Sequence, residues 1–255
     1  MTSTCTSEEI KELKKILGLR DMNTVDLLAH PVQSHFNFVR IERPPTIRGV
    51  SGTEEYGGKL KPGLIQLLKR VFFDKYAENI KLGLPVKKSL WLCRNASDVA
   101  DLYNELCEML PDQAANPSTC PYVMNHSAIG PITAKTIHSR SDISLFLSTL
   151  VMLLGLDLDD IDIIVMFRPF NHCHDILQAA GRGGRKLQID GKRRKVVFSL
   201  CYNKSDISNT VPGMSESVKE FCETKQCLKS FLRCEFGGPE LCEYSSKVWC
   251  CSNCC

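Results

Sequence analysis

At 255 residues and 43% hydrophobic, the chain is long enough to bury one full core and to carry a small second unit. Its 32 basic and 29 acidic residues leave a formal charge of +3, so any nucleic-acid contact must come from a local basic surface and not from bulk charge. No stretch approaches the roughly 18 consecutive apolar residues of a membrane span, and residues 1–30 lack an apolar signal core behind a basic start, so a soluble intracellular protein is expected.

Taken in chain order, Ser7-Glu8-Glu9 followed by Ile10, Leu13, Ile16 and Leu17 reads as a capped amphipathic helix stopped by Gly18. Phe36 to Ile41 is extended. Pro44, Pro45 and the glycines at 49, 52, 57, 58 and 63 then interrupt regular structure, and residues 46–62 read as a linker. Helical spacing resumes at Leu64, Leu67, Leu68, Val71 and Phe72. Lys88 to Cys93 forms a short apolar run suited to a buried strand, and Val99, Leu102, Tyr103, Leu106 and Leu110 put one apolar face on the helix after it. A polar loop, Pro111 to Pro121, follows. Further strands are predicted at Ile143–Leu147, Ile163–Phe167 and Lys195–Tyr202. Strand and helix in alternation indicate an α/β doubly wound parallel sheet.

Gln178-Ala-Ala-Gly181-Arg182-Gly183-Gly184-Arg185 is the most specific string, on a helix predicted to begin near His174, where arginines three apart share a face. Each glycine costs a helix about 1 kcal/mol against alanine, so three together indicate close backbone approach to a partner or the motif's end. A solvated basic turn would explain the arginines but not the glycines. Lys192-Arg193-Arg194-Lys195 follows the Asp190-Gly191 turn signal and is either a phosphate-binding arm or a solvated one.

Eight of the 14 cysteines fall in the last 34 residues, marking a separate module. In a reducing compartment such clusters favour metal ligation over disulfides. Cys227-x14-Cys242-x8-Cys251-x2-Cys254 supplies four thiolates for a tetrahedral structural Zn2+, with Cys250 or Cys255 as alternatives for a ligand.

The string from Gln178 to Arg185 resembles motif VI of superfamily 2 helicases, and other segments resemble the RecQ family in the same order. Thr2 to Thr6 is similar to motif III, Lys88 to Arg94 with Ser97-Asp98-Val99-Ala100 to motif IV, His126-Ser127-Ala128 to the histidine-serine element after it, and Leu147-Ser148-Thr149 through Gly155-Leu156-Asp157 to motif V. Cys227 to Gly237 resembles the helix of the RecQ zinc domain, and Cys251-Ser-Asn-Cys254 its terminal knuckle.

The resemblance implies a RecA-like second motor lobe at 63–205, preceded by the end of a first lobe at 1–45 and followed by a helical zinc-binding module at 206–255. It implies ATP-driven 3′-to-5′ DNA unwinding in repair, recombination or replication, in the nucleus, on single strands and duplex junctions. Arg185 would be the arginine finger on the γ-phosphate, with Arg182 and Gln178 beside it and Gly155 and Asp157 also at the nucleotide. Arg94, His126, Ser127, Ser148 and Thr149 would lie along DNA phosphates, holding register without reading bases.

Two departures qualify this. Leu153-Leu154-Gly155 stands where the family carries Gly-Met-Gly, and the sequence holds neither a Gly-x4-Gly-Lys-Ser/Thr phosphate loop nor an Asp-Glu-x-His run for Mg2+. The chain reads as the C-terminal part of a helicase, and by itself it is expected to have no ATPase. The alternatives are a non-catalytic nucleic-acid-binding module and a zinc-stabilised interaction module.

Overall fold

The computed structural model describes residues 7–18, 34–42, 73–129, 136–137, 139–150, 158, 161–185, 188, 190–237 and 250–254. Helix α1 spans Ser7–Ile16 and ends where Gly18 takes φ +64°, a left-handed value that glycine adopts without steric cost. The core elements are β1 (Phe36–Glu42), α2 (Asp74–Lys81), β2 (Ser89–Cys93), α3 (Ala96–Met109), the short α4 (Pro111–Ala114), β3 (Tyr122–Asn125), β4 (Leu145–Thr149), β5 (Ile163–Phe167), α5 (Cys173–Ala180) and β6 (Val196–Tyr202). After a 3-10 turn at Lys204–Ile207 come α6 (Glu216–Glu223) and α7 (Leu228–Glu235).

The six strands form one sheet in the order β1-β6-β5-β2-β4-β3, parallel at every pairing. Every residue of β2 is buried, as expected of a strand covered on both faces. Val99, Leu102 and Leu106 of α3 pack with Trp91, Leu145, Leu147 and Val165 on one face. Ile176, Leu177 and Ala180 of α5, Phe221 of α6 and Leu228 and Leu232 of α7 pack with Leu90, Ile164, Phe198 and Leu200 on the other. This is the doubly wound α/β lobe with a small helical module that the sequence predicts. Among the described residues, no helix is long and apolar enough to cross a membrane.

Three elements differ from the sequence expectation. Phe36–Glu42 was assigned to the end of a preceding lobe; it is instead the edge strand of this sheet, in register with β6 from Phe36 opposite Val196 to Glu42 opposite Tyr202. Strand β3 lies just past the predicted loop, in a stretch with no clear periodicity. The helix carrying Gln178 stops at Ala180, so Arg182 and Arg185 lie beyond it and share no helical face.

The cysteine module is tied to the sheet along β1. Residues 250–252 run beside that strand: Phe38 N donates to the Cys250 carbonyl at 3.3 Å and Ser252 N to the Phe38 carbonyl at 2.9 Å. Arg40 locks the junction, its guanidinium donating to the carbonyls of Phe221 (3.1 Å), Cys222 (2.6 Å) and Thr224 (2.7 Å) and to Asn253 Oδ1 (2.7 Å).

Candidate metal centre and arginine loop

Four thiols converge where the module meets the sheet. Cys227 is the residue immediately before α7, Cys250 and Cys251 belong to the segment that runs beside β1, and Cys254 lies in the turn after it. Their sulfurs lie within 4.8 Å of one another, with Cys227 to Cys250 at 3.4 Å, Cys227 to Cys251 at 3.9 Å and Cys251 to Cys254 at 3.5 Å. A tetrahedron with Zn–S bonds of about 2.3 Å has S···S edges of about 3.8 Å, so this donor set fits a closed structural zinc site.

The backbone around Cys251 favours its thiolate. Leu228 N donates to Cys251 Sγ at 3.4 Å. The Cys251 thiol is pulled well below its ordinary range, first by the hydrogen bond from Cys227 and then by the backbone amides of Leu228 and Asn253, while Cys227 is pushed up as the donor of that pair. Cys227, Cys251 and Cys254 of the predicted set are thus together, and the fourth thiol beside them is Cys250. Cys242 lies outside the described residues. Every described cysteine is a free thiol.

The arginine loop is built by close packing. Gly181, Arg182 and Gly183 end α5 with N–H groups donating to the carbonyls of Leu177, Ala179 and Ala180. A Cβ on Gly183 would fall 2.6 Å from Val196 Cγ1. Gly184 has φ +57°, and a Cβ there would fall 2.8 Å from the Arg194 carbonyl and 2.9 Å from His35 Cδ2. The glycines therefore serve close approach within the chain itself. Arg185 Nε donates to the Gly181 carbonyl at 3.0 Å, closing the loop on itself, and Arg182, Arg185 and Gln178 are all half-buried. Because Gly184 N donates to the Ile161 carbonyl and Gly183 abuts the start of β6, this loop lies at the amino-terminal edge of the sheet.

The predicted nucleic-acid residues lie at the opposite edge, a strand length or roughly 16 Å away. Register pairs Cys93 with Thr149 and Asn125 with Ser148, so Arg94, Thr149, His126 and Ser127 follow or end three adjacent strands at their carboxyl ends. Ser127 is exposed and His126 half-buried, but Ser148 is buried and its hydroxyl donates to the Thr149 carbonyl at 3.0 Å. Gly155 and Asp157 lie outside the described residues.

Between β2 and β5 the crossovers leave to opposite faces, α3 to one and α5 to the other, which makes the carboxyl ends of these strands the topological switch point where doubly wound sheets bind ligands. Arg94 Nη2 there donates to Asn171 Oδ1 at 2.5 Å. Arg168 adopts φ +64°, the only positive value at a non-glycine among the described residues, with Asp98 Oδ2 and Asp206 Oδ1 each 3.7 Å from its guanidinium. Sequence reasoning missed this pair of ion bridges; the single visible signal was an Arg-Pro step directly after an apolar run.

No protein-family description matches the chain, and no curated protein matches it. Solved structures do match. The C-terminal part of the Fun30 ATPase domain shares 17% identity over 56% of this chain and 41% of its own length, with a TM-score of 0.34. The Pyrococcus furiosus Hef helicase domain shares 15% over 60% and 28%, at 0.36. The DUF1998 helicase MrfA bound to DNA and AMPPNP shares 14% over 80% and 28%, at 0.42. The chain spans less than half the length of each of these proteins, and at such similarity the fold rests on the sheet topology itself.

Proposed function

We propose that the chain is the second motor lobe and zinc module of a RecQ-type, ATP-dependent 3′-to-5′ DNA helicase acting in the nucleus in repair, recombination or replication. The observation that carries this reading is the arginine loop: glycines forced by contacts with Val196, Arg194 and His35 hold Arg182 and Arg185 at one edge of a parallel doubly wound sheet. Nucleotide held by a first lobe would supply the γ-phosphoryl group. Arg185 would stabilise charge on it, a role typically worth about 10³ to 10⁵ in rate, with Arg182 and Gln178 placing the loop against the facing lobe.

At the other edge, Arg94, Thr149, His126 and Ser127 offer short hydroxyls and a guanidinium to the phosphates of a single strand. The four-thiol cluster holds zinc for stability. The absence of a phosphate loop and of an Asp-Glu-x-His run from these 255 residues favours no ATP turnover by the chain itself.

Fluorescence anisotropy of a labelled single strand with the zinc-loaded chain tests the reading. Binding that weakens steeply with salt, is reduced by Arg94→Ala and is unchanged by Arg185→Ala is expected. No binding at low salt would favour the interaction-module alternative. DNA-dependent ATP hydrolysis above an Arg185→Ala control would overturn the prediction that the chain lacks ATPase.

A further inference from the structure

We infer that His35 is a positioning residue for the arginine loop, held in place by Lys229 of the cysteine module. The inference rests on the proposed phosphate role of Arg185 for its purpose, but its geometry does not.

His35 is buried in the turn just before β1, its carbonyl accepting from Val196 N at 3.0 Å and its ring 4.0 Å from that of Phe36. The ring lies directly under the loop. Its Cδ2 and Nε2 are 2.9 and 3.0 Å from where a Gly184 Cβ would stand, and it hydrogen-bonds the Gly183 backbone. Two consecutive loop residues thus rest on one imidazole, and Arg185 is the next residue. With the loop closed by the Arg185 to Gly181 bond, the ring sets the height at which that guanidinium leaves the sheet edge.

The support for His35 comes from α7, the helix that begins directly after Cys227. Lys229 stands two residues after Cys227 and is 2% exposed, yet it is a cation. Burial of such a charge is costly without compensation. Its Nζ donates to the Ser34 carbonyl at 3.2 Å, on the peptide that leads into His35. Lys229, Ser34, His35 and the Gly183-Gly184 backbone therefore link α7 of the cysteine module to the arginine loop.

Hydrogen exchange on the full zinc-loaded chain tests this without nucleotide or DNA, so its outcome is independent of whether Arg185 meets a phosphate. His35→Ala is expected to speed exchange at the Gly183 and Gly184 amides by about tenfold or more while the amides of Leu92 and Val165 stay protected. His35→Asn, which keeps a donor near the backbone, is expected to recover most of the protection. Lys229→Met, with zinc content unchanged, is expected to reproduce the His35→Ala pattern in weaker form. Unchanged exchange at Gly183 and Gly184 in a folded His35→Ala chain would overturn the inference. If that variant does not fold, unchanged loop exchange in Lys229→Met would overturn the link to the cysteine module, and unchanged exchange at Gly183 and Gly184 in a folded His35→Leu chain, which keeps side-chain bulk but no ring nitrogen, would overturn the role of the imidazole.

Discussion

The Arg40 guanidinium donates to the Cys222 carbonyl at 2.6 Å, joining an edge strand of the sheet to a helix nearly two hundred residues later in the chain. Three further acceptors share the same side chain, and Tyr202 Oη donates to that same Cys222 carbonyl. Arg40→Leu would remove four charge-assisted bonds at once, leaving the Cys222 and Thr224 carbonyls with Tyr202 Oη and Asn253 Nδ2 alone. A loss of roughly 3 kcal/mol or more is expected from charge-assisted bonds of this kind, read from urea unfolding. Arg40→Lys should recover little, since an ammonium cannot reach four acceptors held in a fork.

Zinc should bind with a stoichiometry of one per chain. Chelation is expected to unfold the segment from α6 onward, because the cluster joins α7 to the 250–254 turn and structural zinc contributes roughly 10–16 kcal/mol of apparent binding energy in small modules. Cys250→Ser and Cys227→Ser should each surrender zinc to a chromophoric chelator that the unaltered chain resists. If Cys250→Ser keeps its zinc, the fourth ligand is another thiol.

Three loop glycines should respond differently to alanine. Gly183→Ala forces a methyl to 2.6 Å from Val196 Cγ1, an overpacking that typically costs about 1–3 kcal/mol. Gly184→Ala adds a left-handed φ to backbone contact at 2.8 Å and should be the worst of the three. Gly191→Ala meets nothing within 4 Å and has only its φ of +73° against it, so about 1–2 kcal/mol is expected. Thermal melts of the three variants would establish the order.

Burial first, then the nearby Arg193 charge, lowers the His35 pKa from 6.5 to about 4, with Lys229 adding to the fall and the Gly183 hydrogen bond opposing it. The folded state therefore holds this ring neutral at a pH where the unfolded chain would protonate it. The ring costs the fold nothing above about pH 6.5, and stability is lost as pH falls from there towards 4, the loss reaching at most on the order of 3 kcal/mol. Thiolate protonation destabilises acid solutions as well, so the measurable quantity is a difference. His35→Gln should flatten the stability profile between pH 6.5 and 4 relative to the unaltered chain, and an identical slope would count against the buried neutral ring.

Much of the sheet is visible in the sequence because β2, β5 and β6 are short apolar runs bounded by polar or turn residues, as strands covered on both faces must be. Strand β3 was hidden for the same physical reason in reverse: four residues, Tyr122 to Asn125, inside a polar stretch give no period to detect. The membership of β1 in this sheet was not legible at all. Pairing of Phe36 with Val196 is decided by packing across a separation of 160 residues, and no local signal reports it. The same holds for His35, Arg40 and Lys229, whose roles come from partners far away in the chain. Cys227, Cys251 and Cys254 stood out by spacing, while the choice between adjacent Cys250 and Cys251 needed coordinates, which bring both sulfurs to the cluster. The glycines near Gln178 pointed to close backbone approach to a partner, whereas the approaching groups are this chain's own Val196, Arg194 and His35.

The outer side of β1 is covered by Cys250, Cys251 and Ser252, and Arg40 N donates to Ser252 Oγ across a separation of 212 residues. During synthesis the strand can pair with β6 as soon as Val196 to Tyr202 has emerged, yet its other rim stays an open row of amides and carbonyls until the final cysteines arrive. Such a rim is a template for pairing with another chain. A nascent molecule stalled short of residue 250, or one whose closing turn is not drawn in by metal, should thus be a candidate for self-association and for capture by chaperones that recognise exposed strands.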